Sequence, residues 1–326
     1  MIIFRLFILQ SLFISYLLAE TIGLLSGSNS GTYIKIARDI AEVSKDEMNI
    51  KVYNGGSLKN IEKVLSDKHS QFAIVQYDAL LYKRDILGKK DLSDKIKMIF
   101  PLYNEEIHII ARTDRGINSV RDLAGKKVNM DRKNSGSWVT ATMTKKLHKL
   151  NWMEFNYSPK DALLKLTKGE IDAFIYVVGQ PAPILSKLPK TANGIIKLIF
   201  PDVSNFYPQT KIEKNSYKWL KSNVKTNTTK ALFVTYNYGE NRKIPRFDYY
   251  LNNIKKMAKV VNNKLTYLRN NKHPKWKEIN PYDIQGVKWP VHKVVNKQQS
   301  LMIGMKSCED LPTKSEQDMC NALKGQ

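Results

Sequence analysis

Short strand, glycine turn, amphipathic helix: this order repeats along the chain and leaves few folds open to it. Residues 21–25 read as a strand and 26–31 as a glycine-rich turn. Residues 33–43 then carry Ile34, Ile36, Ala37, Ile40, Ala41 and Val43, a helical stripe. A second strand at 50–53 runs into Asn-Gly-Gly-Ser and a helix over 58–65, and a buried strand at 72–75 ends at Gln76. The rhythm resumes with strands at 107–111, 127–130 and 171–177, and helices at 119–123, 138–150 and 161–166. Intervals this short fit βα units and hence mainly parallel sheets.

Two Ile-Phe-Pro segments, at 99–103 and 199–203, bracket the second block of units. A chain that leaves one lobe and returns needs two neighbouring crossing segments, and these are the candidates. The expected organisation is a first lobe over 20–103, a second over 104–201, a return part over 202–289 and a tail over 290–326. The return part holds a strand at 230–238 and one long helix at 249–268.

The turn that opens the first helix reads Asn-Ser-Gly-Thr-Tyr at 29–33. The turn that opens a helix in the second block reads Asn-Ser-Gly-Ser-Trp at 134–138. Free backbone N–H groups at a helix start, with the positive end of the helix dipole, hold an anion without a charged side chain. Gly31 and Gly136 permit close backbone approach, and Thr32 and Ser137 each add a hydroxyl. Tyr33 and Trp138 either cover a ligand or pack the helix onto its sheet. One such turn per lobe lets both face a shared cleft at the carboxyl ends of the strands. Arg132, four residues before Gly136, is placed to reach a second carboxylate, or else is an exposed loop charge.

Residues 1–5 carry one positive charge, 6–18 are apolar, and Ala19 precedes Glu20, which are the three parts of a secretory signal peptide over 1–19. An uncleaved anchor is the alternative, although the run is shorter than the roughly 20 residues of a membrane span. Export makes Cys308 and Cys320, the only cysteines, a disulfide that staples the tail. The net charge of +23 is spread among acidic neighbours without a long basic run. With export and no nucleic-acid signature, this argues against nucleic acid as partner. No catalytic motif, metal-spaced histidine pair or cofactor fingerprint occurs, so we read a non-enzyme without cofactor or metal.

In order between residues 22 and 238 come GSNSGTY, NGGSLKN, FAIVQYD, INSVRDLAGKKV, NSGSW and GEIDAFIYVVGQP. This ordered set resembles the landmarks of the TAXI-type substrate-binding proteins of TRAP transporters. The resemblance implies an α/β, two-lobed type II periplasmic-binding-protein fold with flanking helices and two crossover segments. It implies a periplasmic receptor for a small carboxylate, glutamate-like or a 2-oxo acid, delivered to the membrane subunits of a TRAP transporter; we expect the receptor to be a monomer. The same cleft in a sensor that presents its solute to a membrane receptor kinase is the alternative. Carried over residue by residue, the first lobe would contribute Ser28, Ser30, Gly31, Thr32, Tyr33, Gly56, Ser57 and Gln76. The second would contribute Ser135, Gly136, Ser137, Gly179, Gln180 and Pro181. The sequence departs from the family pattern at Asp131-Arg132-Lys133, usually small and glycine-rich there, and at Ser137, where Thr is commoner. Both departures bear on ligand identity.

Overall fold

Seventeen residues, Ile96–Arg112, form one strand that runs the length of the molecule. Its apolar sequence, IKMIFPLYNEEIHIIAR, is buried almost throughout, because it is covered on both faces in each half of the fold. The computed structural model that shows this describes residues 20–29, 31–67, 69–239, 245–284 and 286–295. The expected signal peptide over 1–19, Ser30 and the expected Cys308–Cys320 disulfide lie outside the described residues. The strands are β1 (Ile22–Leu25), β2 (Ile50–Tyr53), β3 (Ser70–Gln76), β4 (Ile96–Arg112), β5 (Lys127–Asn129), β6 (Met153–Phe155), β7 (Ala173–Val178), β8 (Ile196–Ile199), β9 (Gln209–Ile212) and β10 (Val224–Tyr236). The helices are α1 (Thr32–Ser44), α2 (Ser57–Ser66), α3 (Tyr77–Leu81), α4 (Leu92–Lys95), α5 (Gly136–Leu147), α6 (Pro159–Thr167), α7 (Pro183–Ser186), α8 (Pro245–Asn263) and α9 (Leu265–Asn271).

The strand order is β2-β1-β3-β10-β4-β7-β5-β6, with β8 beside β4 and β9 beside β10. Pairs β1–β2, β1–β3, β5–β6 and β5–β7 are parallel, as βα units require. Every antiparallel pair involves β4 or β10. The fold is thus two α/β lobes joined by two long antiparallel strands. Because those strands belong to both lobes, the hydrogen-bond ladder is continuous rather than divided into two sheets.

The crossing strands differ from the bracket expected in the sequence. The first Ile-Phe-Pro lies within β4, but the second ends β8, which pairs with Ile109–Arg112 inside the second lobe. The chain stays there through Ile212, Tyr217 and Trp219, which share a core with Phe174, Leu185 and Leu198. It returns along β10, whose Thr228–Tyr236 pairs with β4. The proline is a strand terminator here, not a lobe boundary, because it cannot extend the ladder.

Packing follows the sequence periodicity. Along β4, Ile107, Ile109 and Ala111 enter a core that runs beneath both lobes, while Ile110 faces the second-lobe core. The stripe on α1 places Ile36, Ala37 and Ile40 against Phe72 and Phe233. The expected single helix over 249–268 is two, α8 and α9, separated at Lys264; Leu268 then enters the first-lobe core and the Arg269 guanidinium donates to the Ile279 carbonyl. Past α9 the chain packs on the first lobe, with Trp289, Val294 and Val295 buried and the His292 amide bonded to Met98. Among the described residues no helix is long and apolar enough to cross a membrane.

Candidate functional site

The carboxyl ends of β1, β2, β3, β5 and β7 converge on one cleft between the lobes, about 440 Å³ in volume. This lies in the lower part of the range of small-molecule sites, about 300–1,000 Å³. The first lobe brings Ser28, Gly31, Thr32, Tyr33, Gly56, Ser57 and Gln76 to it; the second brings Arg132, Ser135, Gly136 and Ser137. Both copies of the repeated turn therefore face one space.

The two turns are built differently. Helix α1 follows Gly31, which has no side chain to cap it, and its first residues, Thr32 and Tyr33, line the cleft. Helix α5 follows Ser135, whose hydroxyl accepts the Trp138 amide at 3.1 Å and so caps the helix itself. Asn134 holds a left-handed φ of 67° before that cap, a conformation Asn tolerates. In α2 and α5 the first-turn serine fixes the helix to its own sheet. Ser57 Oγ accepts the Gln76 amide at 3.1 Å, and Ser137 Oγ accepts the Val177 amide at 3.0 Å. The Ser57 hydroxyl keeps its proton for a further bond, whereas the Ser137 hydroxyl is bonded to Asp131.

The lobes touch across the cleft mouth. The Leu58 amide donates to the Asn134 carbonyl at 3.4 Å. Gln76 Nε2 donates to Thr140 Oγ1 at 2.7 Å and to the Gly136 carbonyl at 3.3 Å. Behind it, buried Asp78 accepts Thr140 at 2.6 Å and Tyr207 at 2.7 Å, so one carboxylate joins α3, α5 and the segment before β9. Burial raises the Asp78 carboxyl, and these bonds to Thr140, Tyr207 and Gln76 counter the rise. Contacts of this kind belong to a closed arrangement of the lobes.

Four sequence-picked residues are not in the cleft. Trp138 is half-buried, packed edge-on to Tyr82 with ring centroids 6.1 Å apart. Gly179 lies against Lys275 and Tyr103. Gln180 is held at the back of the hinge, its amide on Glu106 at 2.6 Å and its side chain on Lys211, Glu213 and Ser216. Pro181 follows it after a cis bond. The strand that leads to them already ends at Val178, and the chain turns away from the cleft there.

The sequence reading also missed cleft residues, most notably Glu105, Asp131 and Tyr176. Glu105 is 4% exposed; its Oε2 accepts the Tyr33 hydroxyl at 2.6 Å. Burial pushes its carboxyl up to about 8, with the Tyr33 bond and Lys275 acting in the opposite sense. Glu106, next along the strand, faces the other side. It sits 3.9 Å from Lys275 and is pushed up to about 7 by burial. Asp131 is 9% exposed, and burial raises it despite bonds from the Arg132 amide and from Ser135 and Ser137. The available signal was a pair of acids in the apolar run IFPLYNEEIHIIA: charge inside a buried strand needs a use or a partner.

The sequence profile of the NMT1-like family matches residues 24–237, from β1 past the end of β10. Similar solved structures include the periplasmic sulfonate-binding protein SsuA of Methylobacillus flagellatus, 16% identical over 83% of this chain and 79% of that one, with a TM-score of 0.43. A TctC solute-binding protein from Polaromonas is 15% identical over 75% and 88% of the two chains, also with a TM-score of 0.43. The alkanesulfonate-binding SsuA of Xanthomonas axonopodis pv. citri, bound to MOPS, is 12% identical over 86% and 83%, with a TM-score of 0.45.

Proposed function

The chain belongs to the NMT1-like family, and from that premise we propose that it is an exported solute-binding receptor. It captures a small carboxylate, glutamate-like or a 2-oxo acid, between its lobes and delivers it to the membrane subunits of a TRAP-type transporter. The observation that carries this reading is the cleft itself, where the uncapped start of α1 faces Arg132 and the α5 turn across about 440 Å³. Amides at a helix start suit a carboxylate, and an exposed arginine on the opposite wall suits a second one in fork geometry. Delivery to a TRAP-type partner follows from the ordered motifs, not from the cleft.

A ligand held by both lobes binds the closed state better than the open one and shifts the population toward it. A thermal-shift screen of small mono- and dicarboxylates tests the reading. A true ligand at 100 times its Kd stabilises the fold by about 2.7 kcal/mol. Arg132→Ala is expected to weaken a dicarboxylate hit by about 1.5–3 kcal/mol, the worth of a charge-assisted hydrogen bond. If no carboxylate raises the melting temperature, the proposed ligand class is wrong.

A further inference from the structure

The back of the hinge and the cleft treat their buried acids differently. Glu106, on the hinge side of β4, has Lys275 at 3.9 Å, and that lysine is itself 3% exposed. Glu105 and Asp131 line the cleft, and among the described residues no lysine or arginine lies within ion-pair distance of either. Tyr33 satisfies only Oε2 of Glu105, and Asp131 takes neutral donors, the Arg132 amide at 2.7 Å with Ser135 and Ser137, while the Arg132 side chain is exposed. Tyr176, also in the cleft wall, is raised by burial and then by the fields of both Asp131 and Glu105, so the three groups share one corner of the site. Two buried acids with no cation of their own are costly to ionise. A cation brought by the ligand would remove that cost.

We propose that Glu105 and Asp131, with Tyr176 beside them, form a cationic subsite that receives a protonated amine of the ligand, so that the cleft selects amino-bearing carboxylates over their 2-oxo counterparts. The inference rests on the carboxylate reading above and deepens it. The carboxylate lies at the α1 start and the amine at the acid corner, which gives the ligand one orientation. Asp78 and Glu106 press on Glu105 from within the protein, Tyr33 bonds it from α1, and Lys275 draws it down from behind. With its carboxyl pushed up to about 8, Glu105 is mostly protonated at neutral pH and gives up its proton when an ammonium group arrives.

Calorimetry on the full exported chain with a panel of amino acids and their matched 2-oxo acids, L-glutamate and 2-oxoglutarate among them, tests this. The expected result is a preference of about tenfold or more for the amino member of the binding pair, the scale of a charge-assisted contact. Titration at pH 7 in buffers of different ionisation enthalpy should show release of about one proton for the amino acid and none for the 2-oxo acid. Glu105→Gln, which preserves the Tyr33 bond, should abolish both the preference and the proton release; Asp131→Asn should reduce the preference and decides the matter if Glu105→Gln does not fold. Equal binding of the pair, or preference for the 2-oxo acid, overturns the subsite and leaves carboxylate capture standing. A preference unchanged in both variants overturns the assignment to these residues. No binding by any member removes the carboxylate reading and the subsite together.

Discussion

Ser137 has a double task. Its hydroxyl faces the cleft region and also accepts the Val177 amide, which fixes the start of α5 to the end of β7. Ser57 does the same for α2 and β3. Replacing Ser137 by Ala leaves a buried amide without its acceptor and is expected to lower stability by about 1–3 kcal/mol, measured by denaturant unfolding of the ligand-free protein. A loss below a few tenths of a kcal/mol would mean the amide finds water. Asn60 shows a related economy. Its side chain donates to Ser26 and Ile74 carbonyls and accepts the Gly56 amide, so one buried residue ties together the turns after β1, before α2 and within β3. Nothing in local sequence marks Asn60, because its partners lie in three separate segments. The repeated turns were legible because glycine, hydroxyl and aromatic sit within five residues. Glu105 was not, because its environment comes from Tyr33, Asp78 and Lys275, all distant in sequence.

Among the elements, the βα units were legible and the hinge was not. Alternation of short apolar strands with helical stripes gives β1 through α2, and β5, α5 and α6, almost directly; the three-residue β6, largely exposed, left no such signal. The crossing strand β10 reads VKTNTTKALFVTY, polar in its first half, because there its threonines bond β4 carbonyls such as Ile107 and Glu105 instead of filling a core. That polarity hid the first half of the strand and moved the expected crossing to the proline at 201. Helix α5 couples the lobes through Thr140, which bonds both Asp78 and Gln76. Thr140→Val keeps the shape and removes those bonds, which costs the closed state about 1–3 kcal/mol. Solution scattering of the ligand-free variant should then show a larger radius of gyration than the wild type. An unchanged profile would assign the lobe contact to packing instead.

Over the whole molecule, buried titratable groups set the pH response. Glu105 and Glu106 are pushed up to about 8 and about 7, chiefly by burial, from an ordinary value near 4.5. Between these values the folded protein keeps protons that the unfolded chain has released, so stability falls as pH rises. His108 and His273 are depressed to about 4, also by burial, and act in the opposite sense, giving back stability as pH rises toward 6.5. Half-buried His273 counts for less than His108. Below about pH 6.5 the histidines offset part of the loss; above it, up to about pH 8, those two histidines no longer oppose the acids. Each group contributes at most about 1.4 kcal/mol per pH unit. Melting temperatures of the ligand-free protein should fall from pH 6.5 to 8, and a flat profile over that interval would show that the two glutamates titrate normally.

The central claim is that one small carboxylate is held by donors from both lobes at once. Gly136 is where this is most exposed to test, because a side chain there would overlap the Gln76 amide of the opposite lobe, and only when the lobes are closed. At Gly31 an added Cβ meets only Ser28, at an ordinary 3.4 Å. The most direct measurement is calorimetric titration of Gly136→Val, with Gly31→Ala as comparison, using the carboxylate that stabilises the wild type most. Overpacking of this kind costs about 1–3 kcal/mol, so Gly136→Val should bind about tenfold to a hundredfold more weakly while melting near the wild-type temperature without ligand. Gly31→Ala should lose much less. Binding by Gly136→Val as tight as that of the wild type would contradict a ligand held between the two lobes.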